Sequence, residues 1–199
     1  MFAVVESGSI TSMPKGNKGI KIGDNQYPAS IFTLWTESER NAIGIYTVEI
    51  DNTNKKDTEY YINTSVTYAY DSSADKVTAS YGTATAKSLD DVLFTQEDED
   101  NGLGTKGQLN YRGIKYIKKN LVDRECASIL APSDYMYIKA GEEGTTMDSG
   151  WKTWRASVRT KCNEMQTLID NASDTDALIA LYVRNSEGVR PLGDFPVKE

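Results

Sequence analysis

The hydrophobic pattern of this sequence is mainly of one period before Tyr81 and of another beyond Gly113, and that difference limits the chain to a strand-rich front and a helical back. Between Phe2 and Tyr81 apolar residues mostly alternate with polar ones, the two-residue repeat of a strand with one buried face. Beyond Gly113 they recur every three or four positions, the repeat of an amphipathic helix. A segment written in one period cannot bury a continuous face in the other, so the two parts need separate packing solutions. With 199 residues there is room for two small modules.

The alternating part divides at turn residues. Phe2, Val4 and Ile10 flank Ser7-Gly8-Ser9, which predicts a hairpin. Ile20-Lys21-Ile22 runs into Gly23-Asp24-Asn25-Gln26, whose residue types accept turn geometry. Thr36 with Glu39 three positions on has the spacing of a capping box, and Gly44 is placed to end one short helix. Ile45 to Ile50 reads as a strand, and Tyr60 to Asn63 as a shorter one. Val66, Tyr68 and Tyr70, then Val77, Ala79 and Tyr81, alternate on either side of a turn at Asp71-Ser72-Ser73-Ala74-Asp75. They predict a hairpin with one aromatic face, and cross-strand packing over a core accounts for that face more simply than recognition does.

From Thr95 to Gly113 both periods lapse. Glu97-Asp98-Glu99-Asp100 lacks the alternating oxygen ligands and the distal Glu of a calcium loop. Gly102, Gly104 and Gly107 match G-x-G-x-x-G, but they follow four carboxylates that repel phosphate rather than a buried strand. The stretch therefore reads as a polar, Gly-rich linker.

In the helical part Ile114, Ile117, Leu121 and Ile129 are expected to share a face. Ala131-Pro132-Ser133-Asp134 is expected to stop that helix, followed by a short apolar stretch at Tyr135–Ile138 and a Gly-rich loop from Ala140 to Gly150. Trp151, Trp154, Val158, Cys162, Met165 and Ile169 step by three or four along a second, long helix, with both Trp side chains expected to pack on Ile117 and Leu121. Ser173 or Asp174 caps a last helix. The fold class is thus α+β: an antiparallel, β-rich N-terminal domain with one short helix (1–86), an acidic and Gly-rich linker (87–113), a helical hairpin (114–183) and an irregular tail (184–199).

Several functions are disfavoured by what the sequence holds. It has no His, which removes the commonest general base and metal ligand, and no catalytic set, cofactor site or metal site is expected. A net charge of -7 without a basic tract argues against nucleic acid as a partner. No apolar run approaches the roughly 20 residues of a membrane-spanning helix. Met1-Phe2-Ala3-Val4-Val5-Glu6 lacks a positive leader, so synthesis in a host cytoplasm is expected. Cys126 and Cys162 are expected to be reduced core residues.

Two stretches resemble a known group, the small proteins encoded beside tail and tail-fibre genes in marine and cyanobacterial bacteriophages. Tyr27-Pro28, Phe32-Thr33-Leu34-Trp35, Glu39-Arg40 and Gly44-Ile45-Tyr46 are similar to that family's Tyr-Pro, aromatic-Leu-Trp, Glu-Arg and Gly-Ile-Tyr pattern. Leu130 to Lys139, with Trp154-Arg155-Ala156-Ser157-Val158-Arg159, resembles a helical module at the end of many phage tail proteins. Tyr135 stands where that module has Trp, and Lys139-Ala140 replaces an Arg-Lys pair. The resemblance implies a non-enzymatic structural component of the virion tail, in the baseplate, the fibre or its attachment, acting through contacts with other phage tail proteins or with copies of itself. A tail-fibre assembly chaperone absent from the mature particle is the alternative. A carbohydrate-binding protein or hydrolase of the host surface is a third reading, resting on the Tyr-rich face and the acidic residues. The residues expected at an interface are Trp151, Trp154, Val158 and Met165.

Overall fold

The computed structural model describes residues 1–198 and is mixed α+β, with a sheet-rich N-terminal part and a long helix near the C-terminus. It divides into two compact units, Met1–Thr85 and the chain from Ala86 onward.

The first unit is built on a five-stranded sheet in the order β2-β1-β5-β8-β7. Its strands are β1 (Phe2–Glu6), β2 (Ser9–Ser12), β5 (Ile45–Asp51), β7 (Val66–Asp71) and β8 (Lys76–Tyr81). Two-residue β6 (Tyr61–Ile62) and β9 (Thr85–Ala86) lie outside this sheet. Ser7 and Gly8 both have positive φ, 53° and 80°, so the first hairpin turns through two left-handed residues. Between β2 and β5 come β3 (Ile20–Ile22) and β4 (Asn25–Tyr27), a hairpin of their own, then α1 (Ile31–Leu34) and α2 (Glu37–Asn41).

Local chemistry accounts for the helical turns. Thr36 Oγ1 accepts from the Glu39 amide at 3.3 Å while Glu39 Oε2 accepts from the Thr36 amide at 2.7 Å, the reciprocal capping box. Gly44 follows at φ 81°, and a Cβ there would stand 2.5 Å from the Val5 carbonyl oxygen. The helix that the capping box announces is α2, and α1 is a second short helix ahead of it.

Alternation along the strands sorts residues to two faces. Ala3, Tyr46, Val48, Val77 and Ala79 form one cluster, which Val5, Ile10, Met13, Val66 and Tyr70 complete. Val4 and Ile45 point the other way, onto Ile31 and Phe32 of α1. The aromatic face is used inside the unit: the Tyr46 and Tyr70 rings lie 5.1 Å apart, and both hydroxyls donate to Asp75 Oδ1, at 2.7 and 2.8 Å. Burial first, then Tyr70 and Asp75, raises the Tyr46 phenol above its ordinary value.

One strand pairing departs from the antiparallel expectation. β5 and β8 run parallel, with Val48 opposite Val77 and Ile50 opposite Ala79. Alternation reports which face a residue takes and carries no strand direction. A parallel pair needs a crossover of a dozen or more residues, and the chain between Asp51 and Lys76, which includes β7, supplies it.

The stretch 87–113, expected as a linker, is folded and belongs to the second unit. β10 (Val92–Leu93) pairs antiparallel with β11 (Leu109–Tyr111), and between them α3 (Gln96–Asp100) is closed by a second capping box. Thr95 Oγ1 accepts from the Asp98 amide at 3.2 Å, and Asp98 Oδ2 accepts from the Thr95 amide at 2.8 Å. The acidic run that looked like a solvated tract supplies the favourable charge for a helix start. Gly104 packs against the Phe94 ring so closely that a Cβ would lie 2.4 Å from it.

The same segment caps the next helix, α4 (Ile114–Leu130). Gly113 offers no capping side chain, and the carbonyls of Ser88 and Leu89 accept from the Ile114 and Lys115 amides, each at 3.0 Å. Asp91 accepts from the Gly113 amide at 2.9 Å and from Arg112 at 2.5 Å. A Cβ on Gly113 would stand 2.3 Å from the Leu89 carbonyl oxygen.

Where a helical hairpin was expected, the chain then forms a 3-10 turn at Ala131–Ser133, α5 (Asp134–Glu142), α6 (Ser149–Asp170) and α7 (Thr175–Ala180). α4 packs on α6. The buried stripe of α4 is Ile114, Lys118, Val122 and Cys126, whereas Ile117 and Leu121 are about half exposed, at 49% and 45%. Four-residue steps from Ile114 place Lys118 on the inner stripe, where its ammonium lies 4.5 Å from the Tyr182 ring centre. Hydropathy alone reads a lysine as outward, which turns the predicted face toward Ile117 and Leu121. The tail lacks helix and strand among its described residues but is packed, with Leu192 buried and Arg184 paired to Asp194.

Two predictions follow from the 87–113 segment. Gly113→Ala should destabilise the protein by about 1–3 kcal/mol in urea denaturation, because backbone rather than a movable side chain occupies the space. Asp91 and Asp98 are held below the usual carboxyl value, by the Gly113 amide with Arg112 and by Thr95 respectively. A folded value below the unfolded one means that this stabilisation is present above about pH 4 and is lost as pH falls through the folded values. The urea midpoint should drop on acidification below about pH 4, and Asp91→Asn should flatten that drop.

Candidate functional site

Arg155 is the most constrained polar side chain in the helical unit. It sits on α6 and is 6% exposed. A buried guanidinium needs acceptors for a fixed fork of donors. It finds them where α4 ends and α5 begins: Nη1 donates to the Leu130 carbonyl at 2.8 Å and to Ser133 Oγ, and Nη2 to Asp134 Oδ1 at 2.5 Å. Its Nε–H has no partner among the described residues. The Leu130 carbonyl also accepts from Ser133 Oγ at 2.8 Å, so one guanidinium joins an existing bond at a helix end and ties down the first residue of the next helix.

The consequence is the placement of α5. Of its nine residues only Ala140 is buried, and Tyr135, Tyr137 and Ile138 are 61%, 59% and 64% exposed. All three face solvent, with Tyr135 and Ile138 neighbours at a three-residue spacing and Tyr137 on another side of the helix. Beside it lies an open groove of about 250 Å³, lined by Tyr135, Met136, Lys139, Asp148 and Trp151. Asp148 is committed to capping α6, accepting from the Gly150 and Trp151 amides at 2.9 and 3.2 Å.

The four residues expected at an interface separate in the structure. Val158 and Met165 are fully buried, at 0% exposure, in the seam against α4, and they can meet no partner while the unit is folded. Both lie on the inner line of α6 with Cys162 and Ile169, which is what a step of three and four produces. Trp151 and Trp154 are half-buried and meet edge to face at 5.4 Å, and the Lys119–Asp170 and Gln166–Asp123 bonds put Ile117 and Leu121 level with the far end of α6 rather than with the tryptophans. Trp154 Nε1–H donates to the Pro196 carbonyl at 3.0 Å, and the Lys198 ammonium lies 5.4 Å from the Trp151 ring. The tryptophans serve the tail, and Trp151 alone of the four reaches the groove.

Taking Pro132 as a helix stop leaves Tyr135–Ile138 as a short apolar stretch rather than a helix. Pro is also at home in a first helical turn, and here it opens the 3-10 turn that leads into α5. Asp134 in the first turn and Lys139 with Glu143 at a four-residue spacing were the available signals. Spacing was the available signal for Arg155, which lies three residues before Val158 and seven before Cys162 on the inner line of α6.

Among the described residues no cluster of three or more Cys, Asp or Glu is arranged to hold a metal ion, and no helix is long and apolar enough to cross a membrane. Compared with protein-family models, curated proteins and solved structures, the chain matches none.

The separation of core from surface is measurable. Met165→Ala should cost about 2–5 kcal/mol of stability, as deletions at fully buried positions do. Tyr135→Ala should change stability by no more than about 0.5 kcal/mol, as substitutions at exposed positions do. Equal effects in a denaturant titration would mean that α5 is packed rather than presented.

Proposed function

We propose that the protein is a structural component of a bacteriophage tail, in the baseplate, the fibre or the fibre attachment, and that it acts through protein–protein contacts made by α5. The observation that carries the reading is the exposed trio Tyr135, Tyr137 and Ile138 on a helix anchored by Arg155. Tyr is enriched at protein interfaces because it presents a large apolar ring with a polar tip at low entropic cost. A mount that is rigid before binding lowers the ordering cost of association. The phage assignment itself is supported by the sequence resemblance at Tyr27–Tyr46 and Leu130–Arg159. The partner is another tail protein, and the surface that meets it lies one helix away from the tryptophans.

Purified phage particles should contain the protein in a fixed ratio to the major tail proteins by quantitative mass spectrometry. Absence from particles, with presence in infected cells, would favour an assembly chaperone instead. A phage carrying Tyr135→Ser with Ile138→Ser should make the protein at normal level and incorporate at least about tenfold less of it, the loss expected when contacts worth about 1.4 kcal/mol or more are removed.

A further inference from the structure

The contact surface makes no use of the two cysteines, and their placement has a consequence of its own. Cys126 on α4 and Cys162 on α6 are both free thiols and both buried. The bonds between these helices give their register. Lys119 meets Asp170 at 2.8 Å, Gln166 donates to Asp123 at 2.5 Å, and Arg155 donates to the Leu130 carbonyl at 2.8 Å. As the α4 number rises the α6 number falls, so the helices are antiparallel, and the level between the second and third of these pairs belongs to Cys126 and Cys162. Cys126 lies on the buried stripe of α4 and Cys162 in the buried seam of α6. Cys162 Sγ is 3.6 Å from Asp123 Oδ1, one helical turn before Cys126. Facing positions at one level of a packed helix pair are where two Cβ atoms approach closely enough for a bridge.

We propose that Cys126 and Cys162 close an intramolecular disulfide between α4 and α6 when the protein meets an oxidising thiol–disulfide buffer. The oxidant is a small external disulfide. One cysteine thiolate attacks it, forming a mixed disulfide and expelling one small thiolate; the other cysteine then attacks the protein-bound sulfur, forming the Cys126–Cys162 bond and expelling the second. Two protein thiols are oxidised, one external disulfide is reduced to two thiols, and the two cysteine protons end on the two leaving groups. Burial first, then the Cys126 thiol and Asp123, pushes the Cys162 thiol up to about 12, so little thiolate exists near neutral pH and exchange is slow. The bridge encloses the chain from α4 through α5 to α6, which restricts the unfolded state and raises stability.

The test uses the full chain incubated with glutathione disulfide in mild denaturant, then returned to buffer. Expected are loss of both titratable thiols, an intact monomer mass lower by two hydrogens, and a higher melting temperature that dithiothreitol reverses. Cys126→Ala should show no mass loss and no rise in melting temperature under the same treatment. Thiols that stay titratable, stable glutathione adducts, disulfide-linked dimers, or a bridged monomer that melts lower than the reduced one would each overturn the proposal.

Discussion

A buried arginine organises the helical unit. Arg155 carries a fixed fork of donors into the interior, and the end of α4 and the start of α5 turn acceptors toward it. Removing the guanidinium would leave Ser133 and the Leu130 carbonyl bonded only to each other and would free Asp134. Only Ala140 of that helix is buried. The arrangement trades a large packed face for one strong polar anchor, and that trade leaves Tyr135, Tyr137 and Ile138 outside.

The sheet unit solves its own problem differently. Its two faces are both used, one by the Val48–Val77 cluster and one by α1. Asp75 adopts a left-handed backbone at φ 50°, a conformation that Asp tolerates better than most residues, and gains two phenol hydrogen bonds there. That network ties the β7–β8 turn to β5, the strand beyond β8 in the sheet. Tyr46 and Tyr70 are occupied with this task, whereas Tyr68, on the same strand as Tyr70, is 39% exposed.

Much of the fold was legible because it is written in local chemistry. Ser7-Gly8, the Thr36–Glu39 box and the Val66–Tyr81 alternation each specify their own geometry within a few residues. The misreadings share a cause: each element is decided by distant partners. The direction of β8 depends on where β5 lies, and Lys118 turns inward because an aromatic ring waits there. The acidic stretch after Thr95 repeats the same box that was recognised at Thr36, with Asp98 in place of Glu39, and four adjacent carboxylates masked it. At the candidate site the sequence pointed to large aromatics on α6, and the structure leaves two tyrosines and an isoleucine exposed on α5. Trp151 and Trp154 are drawn into packing the tail, whereas the aromatic residues of α5 stay outside because their helix is held by Arg155 rather than by its own apolar face.

Amide hydrogen exchange on Arg155→Met tests this account most directly. If Arg155 is the anchor of α5, the amides of 134–142 should lose protection while those around Val122 and Val158, at the centre of the α4–α6 seam, keep theirs. Undiminished protection across 134–142, or an equal loss throughout the unit, would contradict it.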